Sequence, residues 1–376
     1  MMRRRSRLLV VAACLALVGA LMTATPAGAV QPFGPVVTVT QPGCSFGSVS
    51  EDSVVGSDGK VRGFVEFEGG GCGTGRVIHY IEGAGGSWTS TPSPYRGIVL
   101  GVAWDGTATY LLYAANDGIR ITKRTAAGFT AGRKLSSRGL GGAVVPSGDV
   151  VAAGGNWWAV WTEQVGPGGE FAQTDLFQAL TLGQGHFHNG IGRQRITTNP
   201  LWDGDPSLTL APGGGSAGQV VLAWTRDDGP RGERSAIRFA KAAFDGRWTS
   251  RAWGDQNPAS SPDLFTYGPQ VFIAYAVGDH IIDAVNPPSG IVSNRFLIRG
   301  HGPRVGSSAG RTFVGWTSRS GHVVVGEATA PGVHTDQDLT PTAGRQQLLA
   351  ISGRAGKATV LAVSFGSHRL WASTQS

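Results

Sequence analysis

The chain has 376 residues, of which 59 are glycine, 15% are charged and only three are cysteine, and its formal net charge is +7. Four arginines and no acid lie in the first 29 residues, so everything after them carries only +3. That near-balance, with no dense Lys/Arg run, removes the electrostatic footprint that nucleic-acid binding would need.

Arg3, Arg4, Arg5 and Arg7 precede an apolar stretch from Leu8 to Met22, and Ala27-Gly28-Ala29 follows as a small-x-small cleavage site. The pattern is that of a secretory signal peptide over residues 1–29, with Val30 as the first residue left after cleavage. The apolar stretch is too short to span a bilayer and no second one follows, so no transmembrane segment is expected. Val11-Ala12-Ala13-Cys14 looks like a lipobox, but the apolar run continues past Cys14, which argues against a lipid anchor there. The expected product is secreted, extracellular and monomeric, with residues 30–376 as one domain. Loss of Cys14 leaves Cys44 and Cys72, and a cysteine pair in an exported chain reads as a disulfide. The closed loop of about 29 residues would contribute roughly 3–4 kcal/mol in the chain-entropy account. No C-x-x-C spacing is present, and no metal or cofactor is expected.

Down the chain, apolar runs ending in an aromatic recur: Val65-Glu66-Phe67, Leu111-Leu112-Tyr113, Ala159-Val160-Trp161, Leu222-Ala223-Trp224, Ile273-Ala274-Tyr275, Val314-Gly315-Trp316 and, more loosely, Val363-Ser364-Phe365. The aromatics are 46, 48, 63, 51, 41 and 49 residues apart. A period of about 40–50 residues built from strands is the mark of a β-propeller. The expected fold is therefore all-β: a single β-propeller of seven blades with four antiparallel strands each, six blades being the alternative count. The short last unit, from Arg345 to Ser376, is expected to close the ring by pairing with strands near the N-terminus, leaving no open edge.

The fourth unit is the most legible. Asp205–Ala211 alternates and reads as an inner strand led by Pro206, where no ladder donor is needed. Gln219–Thr225 is apolar on both faces, as befits a strand packed between neighbours. Ala236–Ala242 alternates again, and Asp245-Gly246-Arg247-Trp248 turns into an outer strand. Ser261-Pro262-Asp263-Leu264 and Gly302-Pro303-Arg304-Val305 repeat the Pro-led start. The third interval is the longest, and its extra residues, about Gly166 to Asn199, read as an insertion.

These residues resemble blades of the sialidase-like, Asp-box type of β-propeller, most clearly over 203–253. The Asp-box is degenerate, since Ala243 replaces its Ser/Thr, and the Phe-Arg-Ile-Pro signature of sialidases is missing. The resemblance therefore implies the fold and not true sialidase activity.

Propeller geometry brings equivalent inner-strand residues of different blades toward one axis. Asp205 and Asp263 are thus the candidate catalytic carboxylates, since glycoside hydrolysis needs two acids about 5–10 Å apart. Arg304, one blade on, and Arg226 are candidate binding residues, and Asp203 and Glu163 lie near the same positions. Ordinary turn chemistry with Arg pairing competes with this reading. Trp202 and Trp253, with Trp157 and Trp158, fall outside the repeat register and could stack on sugar rings. His186-Phe187-His188 places two imidazoles on one side of a strand, with no third ligand nearby. The expected function is an extracellular binding protein for glycan or cell-wall polysaccharide. The alternatives are a glycoside hydrolase at the channel mouth and a protein–protein interaction platform.

Overall fold

A computed structural model of the chain describes residues 32–39, 45–46, 53–55, 58–68, 75–140, 144–166, 173–181, 193–210, 220–227, 234–242, 248–252, 259–267, 270–285, 293–308, 311–330, 333–340, 345–354, 357–365 and 369–375. Pro32–Ser376 forms one compact unit. Every element described is a strand, turn or bend, and no helix among the described residues is long and apolar enough to cross a membrane.

The strands pair into successive antiparallel groups of four, each running from an inner to an outer strand. Unit one joins Ser53–Val55, Val61–Glu68, Val77–Ala84 and Ser87–Arg96. Unit two joins Ile98–Trp104, Thr109–Ala115 and Gly118–Thr125, with Gly128–Phe129 and Arg133–Lys134 sharing the outer position. Unit three joins Gly148–Ala153, Asn156–Gln164, Thr174–Leu180 and Gln194–Arg195. Unit four comprises Trp202–Leu210, Val220–Asp227, Ser235–Ala242 and Trp248–Ala252. The long strand Ser293–Ser308 serves twice: its first half ends unit five, begun by Ala259–Tyr267, Gln270–Val277 and His280–Val285. Its second half starts unit six, continued by Arg311–Ser318, Val323–Ala330 and Val333–Asp338. The last unit, Gln346–Arg354, Lys357–Ser364 and Arg369–Thr374, takes its fourth strand from the other end of the chain. Val37–Thr38 pairs antiparallel with it (Val37 opposite Ala372), and Gly34 N–H donates to Thr374 O at 2.9 Å. That closure leaves no open edge at the seam. Consecutive inner strands touch one another around the ring, and the last touches the first. Among the described residues these groups follow one another as the blades of one β-propeller.

The core lies between units rather than within them. One buried cluster joins Leu112 of unit two to Trp161 and Phe177 of unit three; another joins Val61 and Phe67 to Leu361 and Leu370 across the seam. The repeated aromatics Phe67, Tyr113, Trp161, Trp224, Tyr275 and Trp316 are all buried. The loosest repeat departs from this: Phe365 is 48% exposed, and Trp371 fills the core of the last unit.

Three details differ from the sequence reading. Pro206, Pro262 and Pro303 sit inside their strands at bulges, because a bulge leaves one residue out of the ladder and needs no N–H donor there. Residues 174–180, read as part of an insertion, are the buried third strand of unit three. Its polar Asp175 and Gln178 hid it. Gln178 is fully buried because its Oε1 accepts from Trp158 Nε1 (3.0 Å) and Trp248 Nε1 (2.8 Å), tying units three and four together. Trp157 and Trp158 are accordingly core residues, 8% and 5% exposed, and present no sugar platform.

Candidate functional site

The aromatic repeat and the X-Pro repeat are two halves of one device. In unit four the ladder pairs Gly204 with Thr225 and Ser207 with Ala223, so the bulged pair Asp205-Pro206 faces the single residue Trp224. Ser261-Pro262 faces Tyr275 in unit five, and Gly302-Pro303 faces Trp316 in unit six, in the same way. Asp205, Ser261 and Gly302 adopt left-handed backbone angles, φ 47°, 52° and 58°. Only glycine does so without strain. Holding Asp and Ser there, each before a proline, costs of order 1–3 kcal/mol per residue. Bulges re-aim the chain, and here they do so in three inner strands.

The result is a cavity of about 390 Å³ where the inner strands begin. Asp149, Asp205, Asp263, Arg76 and Arg304 supply its charge, and Ser147, Ser207 and Ser261 its hydroxyls. Leu100, Val145, Pro146, Pro206 and Pro262 supply its apolar surface, with Val145 68% exposed. Asp205, Asp263 and Arg304, singled out from the sequence, thus line one cavity.

Several of these side chains also fasten one unit to the next. Leu208 N–H donates to Asp149 Oδ2 (2.5 Å), Leu264 N–H to Ser207 Oγ (2.9 Å) and Val305 N–H to Asp263 Oδ2 (2.6 Å). In each case the acceptor pairs across the ladder with the residue before the repeated aromatic and bonds the equivalent backbone one unit on. Arg304, 6% exposed, reverses the polarity by donating from Nε to Leu349 O at 2.8 Å. Asp205 participates through its backbone, whose N–H donates to Ser147 Oγ at 3.0 Å. The residue is half-buried and lies on the wall of the cavity.

The other candidates lie elsewhere. Arg226 forks onto Asp203, Nε–Oδ1 2.7 Å and Nη2–Oδ2 3.0 Å, and Asp203 also accepts from Trp224 Nε1 (2.9 Å) and Asn199 Nδ2 (2.7 Å). Asp203 is fully buried, so this cluster braces unit four and does not line the cavity. Trp202 lays its ring over Gly204, where an added Cβ would overlap the indole. Trp253, His186, His188, Cys44, Cys72 and residues 1–29 lie outside the described residues. Among the described residues no group of three His, Cys, Asp or Glu side chains is placed to hold a metal ion.

Glu163 repeats the Arg226 cluster with the charges exchanged, two residues past Trp161 as Arg226 is two past Trp224. Its carboxylate is fully buried and accepts from Trp161 Nε1 (2.7 Å), Arg193 Nε (2.8 Å) and Arg193 Nη2 (2.5 Å). Burial pushes its pKa up, but the bonds from Arg193, Ser136 and Trp161 outweigh burial and hold it below the usual glutamate value. A carboxyl whose folded pKa is depressed adds stability above its unfolded pKa of about 4.3, and that stability is lost as pH falls through the folded value. Wild type should therefore exceed Glu163→Gln in denaturant midpoint at pH 7, with the gap closing below about pH 4. A gap that stays constant from pH 7 to pH 3 would contradict this assignment. Asp175 behaves in the opposite sense: burial raises its carboxyl despite the bond from Thr197 and the ion pair with Arg195.

Asp149, Arg76, Ser147 and Ser207 were not singled out from the sequence. Ser207 was within reach, since Asp205-Pro206-Ser207, Ser261-Pro262-Asp263 and Gly302-Pro303-Arg304 align as triplets whose third residue makes the inter-unit bond. Asp149 and Arg76 carry no such signal, because their units lack the triplet.

No protein-family model matches the chain, and no curated protein matches it. Solved structures do. An α-L-arabinanase of Penicillium chrysogenum, solved with arabinobiose, is 11% identical at TM-score 0.52, covering 82% of this chain and 99% of that one. A puromycin-hydrolyzing peptidase of Mycobacterium tuberculosis is 16% identical at TM-score 0.54 over 88% of this chain, which spans only 55% of that protein. A subtype N10 neuraminidase-like protein of A/little yellow-shouldered bat/Guatemala is 10% identical at TM-score 0.48, covering 92% and 98%. At such identities the likeness concerns the fold alone, and it agrees with the β-propeller that the repeat pattern implied.

Proposed function

We propose that this protein is a secreted glycan-binding β-propeller that holds a polysaccharide segment in the cavity at the start of its inner strands. The observation that carries this reading is the composition of that cavity: three carboxylates, two guanidiniums and three hydroxyls set among proline and aliphatic surfaces. Sugars present hydroxyls in the ring plane and C–H groups on the faces. Carboxylates and guanidiniums take up the hydroxyls, and the proline and valine surfaces take up the faces. The fold likeness to an arabinanase agrees with a saccharide ligand. A glycan array probed with the full chain tests the proposal: saturable binding to a defined oligosaccharide class is expected, and uniform failure to bind any saccharide would refute it.

A second reading is hydrolysis, favoured by the three aspartates, Asp149, Asp205 and Asp263, that share one cavity. Asp149 and Asp263 each accept a backbone N–H, so the fold already orients both carboxylates. A panel of chromogenic glycosides separates the readings, since turnover abolished by Asp205→Asn would make the protein an enzyme.

Export and the Cys44–Cys72 disulfide belong to the same proposal. Sequencing of the secreted protein should start at Val30, and non-reducing peptide mapping should recover Cys44 and Cys72 in one linked fragment. Free thiols at both positions would end the disulfide assignment.

A further inference from the structure

A second cavity, of about 480 Å³, lies between the outer parts of units two and three and is lined by Lys134, Leu135, Ser136, Ser137, Arg138 and Arg193. Its charge is one-sided. Arg120, Lys134, Arg138 and Arg193 share two carboxylates, Asp117 and Glu163. Asp117 is held by Arg120 at 2.6 Å and stands 3.7 Å from Lys134; Glu163 is held by Arg193 at 2.5 Å and stands 3.9 Å from Arg138. Lys134 and Arg138 are 40% and 59% exposed. Surface pairs this long contribute almost nothing to stability, although Arg138 also donates from Nη1 to Gln164 O.

Arg193, by contrast, is fixed: its fork grips Glu163 and its guanidinium lies 4.1 Å from the Phe177 ring centroid. Ser136 is 4% exposed and its Oγ accepts from Arg138 N–H at 3.1 Å, which fixes the loop that carries Arg138. A positioned guanidinium and two further, exposed cations around a hollow, with Ser137 beside them and Ser136 bonded to Glu163, make a receptor for an oxyanion.

This cavity lies at the same ends of the strands as the central one. Inner strands begin where second strands end, as the pairs Gly148–Trp161 and Gly204–Thr225 show. Glu163 and Gln164 end a second strand, and Lys134 pairs beside Arg120, just past the hairpin that ends the other. Arg138 and Val145 are seven residues apart, and a chain of that length spans at most about 25 Å.

We propose that the ligand is an acidic polysaccharide whose chain occupies the central cavity and whose carboxylate or sulfate group docks in the basic cavity between units two and three. This inference rests on the glycan reading above, and the test is arranged so that the two can fail separately. The full chain, its Asp205→Asn variant and its Lys134→Gln/Arg138→Gln variant are titrated calorimetrically with three probes. These are an oligogalacturonate, a sulfated oligogalactan and the neutral oligogalactan of equal length.

The basic-cavity double variant should lose at least tenfold in affinity for an anionic probe and less than twofold for the neutral one. The wild-type preference for that probe should weaken steeply between 50 and 500 mM salt. Which anionic probe shows the loss identifies carboxylate or sulfate as the group held. Lys134→Arg/Arg138→Lys should restore most of the affinity, and because Arg138→Gln also removes the bond to Gln164 O, affinities are compared per folded molecule at measured melting temperatures. Equal binding of anionic and neutral probes by wild type, or an unaltered preference in the double variant, would overturn the inference while leaving the central site standing. Unaltered binding of every probe by Asp205→Asn, with the basic-cavity effect intact, would instead overturn the central site.

Discussion

Arg226→Ala should lower the free energy of unfolding by about 3–5 kcal/mol, the cost of removing one partner from a buried ion pair. The substitution leaves the fully buried Asp203 carboxylate with only Trp224 and Asn199 as donors. Neither neutralises its charge. Arg226→Lys should recover part of the loss but not the fork, because an ammonium cannot place two parallel donors on Oδ1 and Oδ2. The double variant Asp203→Asn/Arg226→Met should lie nearer wild type than Arg226→Ala does, since it removes both charges together. Guanidinium denaturation at pH 7 decides the matter: a loss below about 1 kcal/mol for Arg226→Ala would place the pair among ordinary surface ion pairs. The saccharide affinity of the folded fraction should stay unchanged in all three variants.

Asp205 should show the reverse profile, a large functional loss with little or favourable change in stability. It lines the cavity while its backbone is held at φ 47° ahead of Pro206. Asp205→Gly relieves that strain and should raise the unfolding free energy by about 1 kcal/mol. Asp205→Asn keeps a residue that tolerates the left-handed region and should be close to neutral. Both should weaken saccharide binding by roughly 10- to 100-fold, the worth of about 1.5–3 kcal/mol for a hydrogen bond to a charged group. Strain retained where glycine would relieve it, together with binding lost when it is relieved, is what a functional carboxylate at a bulge should show. If Asp205→Gly destabilises the protein and leaves binding intact, the aspartate is a structural turn residue.

Much of the architecture was legible because its determinants are local and repeated. The aromatic-ended runs report a strand that must be apolar on both faces, which happens only between packed blades, and Leu222-Ala223-Trp224 falls where that logic puts it. Closure at the seam was legible too, since a short last unit leaves an edge that another strand must cover. So was the convergence of Asp205, Asp263 and Arg304, because a rotational repeat carries equivalent positions to one axis.

Polar burial was not legible. Thr174–Leu180 looked like a loop because Asp175 and Gln178 interrupt its apolar pattern, and only the partners Thr197, Trp158 and Trp248 show why those groups can be inside. Arg226 and Arg304 are both arginines at repeat-related places, yet one braces a buried carboxylate and the other lines the cavity. The basic cavity escaped the sequence altogether, since Lys134 and Arg138 come from unit two and Arg193 from unit three. A sequence fixes which residue types recur and at what spacing, and a periodic fold turns that into position. Which charge meets which is set by distances of a few ångströms between segments far apart in the chain, because Coulomb and hydrogen-bond energies change most steeply there.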